Sequence, residues 1–167
     1  MSFDDNGGLT MKISLRQMTA EEFQQYRRPG IRRLASALQR AWQLSPFEAS
    51  AAARRVFERS ITELEREPTK GGIFIVEAER RAVGVLWYTI QCTRGFSEAY
   101  VFDIFIKPTE RRRGYAAAAL RAMEKVARDE SVSRVCLNVF EHNVKATRFY
   151  KKNGFRVASH GLMKSLT

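Results

Sequence analysis

The spacing of apolar residues along the chain changes near residue 70. Before that point, one alternating segment from Met11 to Met18 predicts a strand, and apolar residues then recur every three or four positions, as in amphipathic helices. Thr19 begins a capping-box sequence for a first helix, which Pro29-Gly30 should interrupt. Ser45-Pro46 has the form of a second helix start, and that helix should run to about Arg66. This part of the chain therefore predicts a strand followed by two helices.

After Gly72 the pattern changes to runs of β-branched and aromatic residues. The runs GIFIVEA, AVGVLWYTIQC and EAYVFDIFI predict consecutive antiparallel strands. A helix from Ala116 to Arg128 should follow, with its core face formed by Leu120, Met123, Val126 and Ala127. The remaining predicted elements are a strand at Val132–Val139, a helix at Val144–Lys152 ended by Asn153-Gly154, and short strands at Phe155–Val157 and Leu162–Lys164. After a loose tail at residues 1–10, the chain thus predicts one α/β domain with the order β-α-α-β-β-β-α-β-α-β-β.

Composition narrows the class of protein without deciding it. The 167 residues suit one hydrophobic core, and 29 basic against 18 acidic residues give a net charge of +11 that favours anionic partners. Basic residues do not alternate with aromatic ones as in single-strand binders, so nucleic acid is an unlikely partner. Neither a signal peptide nor a membrane span is indicated, so we expect a soluble, cytoplasmic protein. Cys92 and Cys136 should be reduced core thiols, and no metal is expected because His142 and His160 stand apart.

The first candidate for chemistry is the segment Arg111-x-x-Gly114-x-Ala116, which opens a helix directly after a strand and a proline-containing turn. A helix start offers unpaired backbone N–H groups and a positive dipole end, both of which favour bound phosphate. Gly114 would allow the backbone to approach an anion closely, and three adjacent arginines could donate charged hydrogen bonds. The alternative is a basic loop that only caps a core helix.

The second candidate is the run Asn143-x-x-Ala146-x-x-Phe149-Tyr150-x-x-x-Gly154-Phe155. Asn143 lies where a strand gives way to a helix, and its amide could cap that helix or reach a ligand. Tyr150 follows after two helical turns, so both side chains should point along one face. Taken singly, Asn143 could be only a cap and Tyr150 only a core residue.

Together the two motifs resemble the GNAT superfamily of N-acetyltransferases. Its signature is (Gln/Arg)-x-x-Gly-x-(Gly/Ala) after the fourth strand, followed by Asn-x-x-Ala-x-x-(Leu/Phe)-Tyr-x-x-x-Gly-Phe. The likeness covers about Met11 to Leu166, and within the superfamily it is nearest to small uncharacterised bacterial acetyltransferases. It implies that residues 11–167 form an N-acetyltransferase domain. The implied fold has a mixed, mostly antiparallel central sheet flanked by helices, with the fourth and fifth strands splayed apart.

The resemblance also implies a binding site for acetyl-CoA as the acyl donor. The exposed edge of the fourth strand, Ile104, Phe105 and Ile106, should pair with the pantetheine arm, which Asn143 should also contact. Tyr150 should bind the same arm and protonate the departing thiolate. The residues implied around the pyrophosphate are those of the basic turn: Arg111, Arg112, Arg113, Gly114, Tyr115, Ala116 and Ala117.

The family has no universal base, and the sequence leaves three alternatives open. Glu98 occupies the position of the glutamate that some members use, eight residues before the end of the fourth strand at Ile106. Asp103 lies nearer the splay but would face the opposite side of a regular strand, although this strand is often bulged in the family. A water chain with neither carboxylate is the third alternative. Glu98 is the preferred candidate at this point.

The expected function is transfer of acetyl from acetyl-CoA to a primary amine of a small molecule, peptide or protein, by direct attack in a ternary complex. The alternative is a non-catalytic module on the same fold that binds CoA or nucleic acid. The resemblance implies that residues 21–66 line the acceptor site, but they hold both acids and arginines and so indicate no charge class. The net charge makes polycationic acceptors less likely. We expect a monomer or homodimer that does not bind membranes.

Overall fold

The computed structural model describes residues 2–3, 9–10, 13–67, 71–93 and 95–164 of the chain. Most of the predicted tail lies outside the described residues. The exception is a short antiparallel ladder between β1 (Ser2–Phe3) and β2 (Leu9–Thr10). The start of the predicted strand at Met11 also lies outside the described residues, and so does the end of the chain from residue 165.

A five-stranded mixed sheet forms the centre of the domain. Its strands follow one another across the sheet in the order β3-β4-β5-β6-β7, antiparallel except for the parallel pair β6–β7. This architecture confirms the predicted single α/β domain. The elements are β3 (Ile13–Gln17), α1 (Ala20–Trp42), α2 (Pro46–Arg66), β4 (Gly71–Ala78), β5 (Arg81–Thr93), β6 (Phe96–Ile106), a 3₁₀ turn (Pro108–Glu110), α3 (Tyr115–Asp129), β7 (Arg134–Leu137) and α4 (Val144–Lys152).

Both predicted helix starts on the N-terminal side are confirmed. Thr19 caps α1 in a reciprocal capping box with Glu22, and Ser45 does the same for α2. The predicted interruption at Pro29-Gly30 is wrong, because α1 runs through it without a break. Proline removes one backbone hydrogen bond, but the helix is held on both sides of it. A Cβ on Gly30 would lie 3.0 Å from the ring of Phe57 on α2, so the two helices pack closely at this point.

Each face of the sheet has its own hydrophobic core. On one face, α3 packs over the strands through Leu120 and Met123, which contact a cluster that includes Leu86. On the other face, α1 and α2 cover β4 and β5, and Phe57 meets Trp87 with 5.1 Å between their ring centres. Helix α3 on one side and the α1–α2 pair on the other therefore hold the sheet from both faces.

Three local predictions are wrong, two of them short strands and one the burial of a side chain. The predicted strands at Phe155–Val157 and Leu162–Lys164 have no regular structure. Leu162 is 97% exposed, so no packing holds this segment extended against the sheet. Val126 was predicted on the core face of α3 but is exposed, because it lies at the margin of the stripe that packs on the sheet.

The two cysteines also differ from the prediction of core thiols. Both are free, but Cys92 is exposed and Cys136 is only half-buried. Cys92 lies near the end of β5, beyond the last residue that pairs with β4, Thr89. The hairpin of β5 and β6 projects past its neighbours there, so its apolar residues are not covered. β7 is likewise shorter than predicted, since it is limited to the four residues that pair with β6.

Candidate active site

The pairing of β6 with β7 stops about halfway along β6. Their parallel ladder extends from Glu98 opposite Arg134 to Val101 opposite Leu137. Beyond Val101, residues 103–106 of β6 pair with β5 but with no other strand among the residues described. One edge of this half of β6 therefore has backbone N–H and C=O groups available to an extended ligand. Ile104, Phe105 and Ile106, the residues predicted to bind pantetheine, belong to this half.

A bulge in β6 settles which way Asp103 faces. Trp87 on β5 pairs with Asp103, whereas the next residue, Tyr88, pairs with Val101, so Phe102 is an extra residue in β6. Val101 belongs to the core under α3, and in a regular strand Asp103 would point to that side too. The bulge instead turns Asp103 toward α1. Glu98 lies an odd number of residues from Val101, so the two candidate bases face the same side of the sheet.

Asp103 is held by two side chains of α1. The Tyr26 hydroxyl donates a hydrogen bond of 2.8 Å to Oδ2, and Nη2 of Arg33 donates one of 2.6 Å to the same oxygen. The Arg33 guanidinium also stacks 4.1 Å from the ring centre of Phe105. Burial, and after it the Asp103 charge, raise the pKa of Tyr26 well above its usual value, so this hydroxyl stays a donor. The other carboxylate oxygen, Oδ1, accepts no hydrogen bond from the part of the chain that the structure describes.

Glu98 lies in a different environment, in the half of β6 that is paired with β7. It is 6% exposed and forms an ion pair of 3.0 Å with Nε of Arg134. Gln91 donates a hydrogen bond of 3.1 Å to Oε1, and the thiol of Cys136 lies 3.3 Å from Oε2. Burial, and after it Glu98, raise the pKa of the Cys136 thiol. Glu98 is thus enclosed by its partners, and it lies three residues before Val101, where the pairing of β6 with β7 ends.

The turn between β6 and α3 reverses the chain over a few residues. Arg112 has φ of 63° and Gly114 has φ of 81°, the left-handed conformation that favours glycine. Within the described chain, no side chain caps the start of α3 at Gly114, so its first N–H groups are available to an anion. Two of the three arginines have partners: Arg111 donates from Nε to the Ile106 carbonyl at 3.0 Å, and Arg113 lies 3.3 Å from Glu110.

Asn143 and Tyr150 are at opposite ends of α4. The Asn143 side chain accepts a hydrogen bond of 3.2 Å from the Ala146 N–H and so caps the helix, while its amide NH₂ group has no acceptor within the described residues. Tyr150 is partly buried between the rings of Phe149 and Phe155. Burial, and after it the charge of Asp103, raise the pKa of Tyr150 to about 12. The charge of Asp103 on β6 therefore favours the protonated form of Tyr150 on α4.

A cavity of about 480 Å³ opens between α1 and the start of α4. We call it the α1–α4 cavity. Arg33 lines it while bonding to Asp103, so the cavity adjoins one of the two candidate bases. Four residues of α1 (Arg33, Ser36, Ala37, Arg40) and four around the α4 start (His142, Asn143, Val144, Lys145) form its walls.

Sequence reasoning singled out Asp103, Asn143 and Tyr150 but missed the groups that α1 contributes. Tyr26, Arg33 and Arg40 are spaced seven residues apart and so lie on one side of α1, next to its apolar stripe. This row of polar residues at seven-residue spacing could have indicated from the sequence that α1 contributes to the site. Its partner on β6 lies about 70 residues away along the chain, and no local pattern indicates that contact.

Among the described residues, no helix is long and apolar enough to cross a membrane. Over the same ranges, no three His, Cys, Asp or Glu side chains are grouped so that they could hold a metal ion.

Comparison with known proteins identifies the family. Residues 30–155 match the family described as "Acetyltransferase (GNAT) family", which is most of the chain and includes both motifs. The chain belongs to the GNAT acetyltransferase family. This agrees with the split sheet and with the turn at the start of α3.

Individual relatives show how far the similarity extends. The chain is 28% identical over 156 residues to YycN of Bacillus subtilis, an uncharacterised N-acetyltransferase, and the match covers 93% of this chain and 100% of YycN. The crystal structure of YycN superposes with a TM-score of 0.81 over 93% of this chain and 99% of YycN. A thialysine N-ε-acetyltransferase of Sus scrofa is 34% identical over 71 residues, 42% of each protein.

A more distant structure shares the fold alone. Aminoglycoside N-acetyltransferase AAC(6′)-Iy, solved in complex with CoA, is 14% identical and has a TM-score of 0.56 over 92% of this chain and 94% of its own.

Proposed function

We propose that this protein is an N-acetyltransferase that transfers acetyl from acetyl-CoA directly to a primary amine in a ternary complex. The observation that carries the proposal is the separation of β6 from β7 after Val101, beside an uncapped helix start. A primary amine as acceptor is supported by the name of the mammalian relative, a thialysine N-ε-acetyltransferase. The acceptor is a small molecule, a peptide or a protein.

The residues of the split suit the successive parts of acetyl-CoA. The N–H groups at the start of α3, with Gly114 in front of them, suit a pyrophosphate because they offer donors and a positive dipole end. The unpaired edge of β6 at residues 104–106 suits the amides of pantetheine. The free NH₂ group of Asn143 suits a carbonyl of the same arm. Arg112 is exposed and suits the phosphates better than Arg111, which already bonds to the Ile106 carbonyl.

Acetyl-CoA supplies a thioester: the amine nitrogen forms a bond to its carbonyl carbon, and the carbon–sulfur bond breaks. The sulfur then needs a proton, and we assign this proton to the Tyr150 hydroxyl. With a pKa raised to about 12, Tyr150 is fully protonated at neutral pH. A phenol is a weaker acid than a thiol, so its contribution comes from its position and from a hydrogen bond that strengthens as the sulfur becomes negative.

The amine must also lose a proton, and Asp103 is the better of the two candidate bases. It lies on the half of β6 that does not pair with β7, and it adjoins the α1–α4 cavity through Arg33. Its Oδ1 atom has no hydrogen-bond partner in the described chain. Glu98 is enclosed by Arg134, Gln91 and Cys136 in the paired half. We therefore favour Asp103, acting directly or through water, and keep Glu98 as the residue to test beside it.

Direct attack is favoured over an acetylated enzyme because no activated nucleophile adjoins the split in the described residues. Cys136 is the nearest thiol in sequence to the end of the β6–β7 ladder, and its pKa is raised rather than lowered. A thiol in that state holds its proton and is a poor nucleophile at neutral pH. The amine itself is then the group that attacks the thioester.

The proposal is tested by incubating the protein and acetyl-CoA with amines, amino acids, peptides and protein N-termini in turn. The measured quantity is the release of the CoA thiol. We expect thiol release that requires both an amine and the protein, with the acetylated amine detected by mass spectrometry. The proposal would be contradicted if calorimetry shows that CoA binds but no class of acceptor causes release of the CoA thiol. That result would favour a non-catalytic CoA-binding module.

A further inference from the structure

The walls of the α1–α4 cavity are positively charged. Arg40 and Lys145 both line it, and neither lies within 4.0 Å of a carboxylate oxygen among the described residues. The third cation, Arg33, is paired with Asp103. No acidic side chain lines the cavity itself. Two cations without partners facing one cavity favour an anionic group in the ligand that occupies it.

The position of the cavity relates that anion to the reacting amine. Arg33 lines the cavity and bonds to Asp103, our candidate base, so one end of the cavity adjoins the place where the amine loses its proton. Arg40 follows Arg33 by seven residues on the same side of α1, which corresponds to about 10 Å along the helix axis. A ligand with its amine at Asp103 and its anion at Arg40 needs a spacer between the two.

We infer that the acceptor is a small primary amine that also carries an anionic group, either a carboxylate or a phosphate. Several methylene groups separate this anion from the amine, and Arg40 and Lys145 bind the anion. This inference rests on the proposed function and names the substrate class for it. The volume of about 480 Å³ lies within the range of small-molecule sites. Its charge also disfavours diamines and polyamines, because their second ammonium group would lie against Arg40 and Lys145.

The first test compares amines of one length that differ only in the group at the far end. Aminohexanoate and aminohexyl phosphate carry an anion, hexylamine is neutral there, and diaminohexane carries a second cation. We expect the better anionic amine to exceed hexylamine in kcat/KM by about 10-fold, with diaminohexane the poorest acceptor. The two anionic compounds show whether carboxylate or phosphate is preferred. Equal kcat/KM values for hexylamine and both anionic amines would overturn the inference.

The second test removes the charge from the cavity wall. Arg40→Gln, and separately Lys145→Gln, should reduce the preference for the anionic amine over hexylamine by several-fold. Arg32→Gln is the matched control, since Arg32 is exposed on the same helix but does not line the cavity, and it should keep the full preference. An unchanged preference in both cavity variants would overturn the inference. A loss of acetyl-CoA affinity in them would also overturn it, because the cations would then belong to the cofactor site.

Failure of the proposed function would be visible separately. If no amine at all supports thiol release, the proposed function fails, and calorimetric titration of the CoA-bound protein still decides the inference. In that titration, tighter binding of the anionic amine than of hexylamine, lost in Arg40→Gln and kept in Arg32→Gln, would support an anion site. Equal affinities would exclude it.

Discussion

Asp103→Asn is the substitution that most directly tests the assignment of the base. Asparagine has nearly the same shape and can still accept the hydrogen bond that the Tyr26 hydroxyl donates at 2.8 Å. It cannot take a proton from the amine, and it no longer forms an ion pair with Arg33. The variant therefore removes the proton acceptor and leaves most of the local packing unchanged.

The expected loss follows from the protonation of the amine. A lysine-like amine with a pKa near ~10.4 is neutral about once in several thousand molecules at pH 7, which costs roughly 4 to 5 kcal/mol. Removal of a positioned base should lower kcat/KM by about 10²-fold at pH 7. The deficit should shrink as pH rises, because the amine then loses its proton to solvent. Stability should fall by only about 1 kcal/mol, since both side chains of the Arg33 pair are roughly a third exposed.

The assay is thiol release from pH 7 to pH 9.5 for the unmodified protein, Asp103→Asn and Glu98→Gln, with the melting temperature measured on each preparation. Glu98→Gln is the matched control, because it makes the same chemical change in the paired half of β6. We expect it to lower the rate per folded molecule much less than Asp103→Asn does. Full activity of Asp103→Asn, with a 10²-fold loss in Glu98→Gln, would refute our reasoning and restore Glu98 as the base.

Three further predictions concern the acid and the cofactor turn. Tyr150→Phe should lower turnover by about 10 to 10³-fold with little change in CoA affinity or melting temperature, and preserved turnover would end its assignment as the acid. Because the pKa of Tyr150 is raised to about 12, kcat should show no loss of the acid up to pH 10.5, whereas a fall by half at pH 10 would indicate an ordinary phenol. Gly114→Val should abolish most of the CoA affinity measured by calorimetry, since φ is 81° there and a branched side chain would fill the approach to the α3 start. Undiminished affinity in Gly114→Val would contradict the cofactor site.

The elements that sequence predicted best are those with local signals at their ends. Thr19, Ser45 and Asn143 each cap the helix that follows, as their positions indicated. The turn at Gly114 was also predictable, because a left-handed residue before a helix favours glycine. In these cases the determining interactions lie within a few residues, so the sequence contains nearly all of the information.

The predictions that failed depend on contacts between distant segments. Pro29-Gly30 was expected to interrupt α1, but the helix continues through it and packs closely on α2, where Gly30 lies next to Phe57. The strands expected at Phe155–Val157 and Leu162–Lys164 had the right composition, but Phe155 alone among them packs on the core, and the described residues 156–164 are exposed. The bulge at Phe102 is a property of the pairing between β5 and β6, and it determines which side of the sheet Asp103 faces. The sequence left three alternatives for the base, namely Glu98, Asp103 or water with neither, whereas our proposal of Asp103 depends on the pairing of the sheet.

The central claim, direct transfer of acetyl in a ternary complex, is tested most directly by initial rates with both acetyl-CoA and an accepted amine varied. Our account predicts intersecting lines in double-reciprocal plots and no thiol release before the amine is added, because both substrates must occupy the split between β6 and β7 together. Parallel lines, or a burst of thiol in the absence of amine, would contradict it, since either would mean that the protein itself is acetylated first.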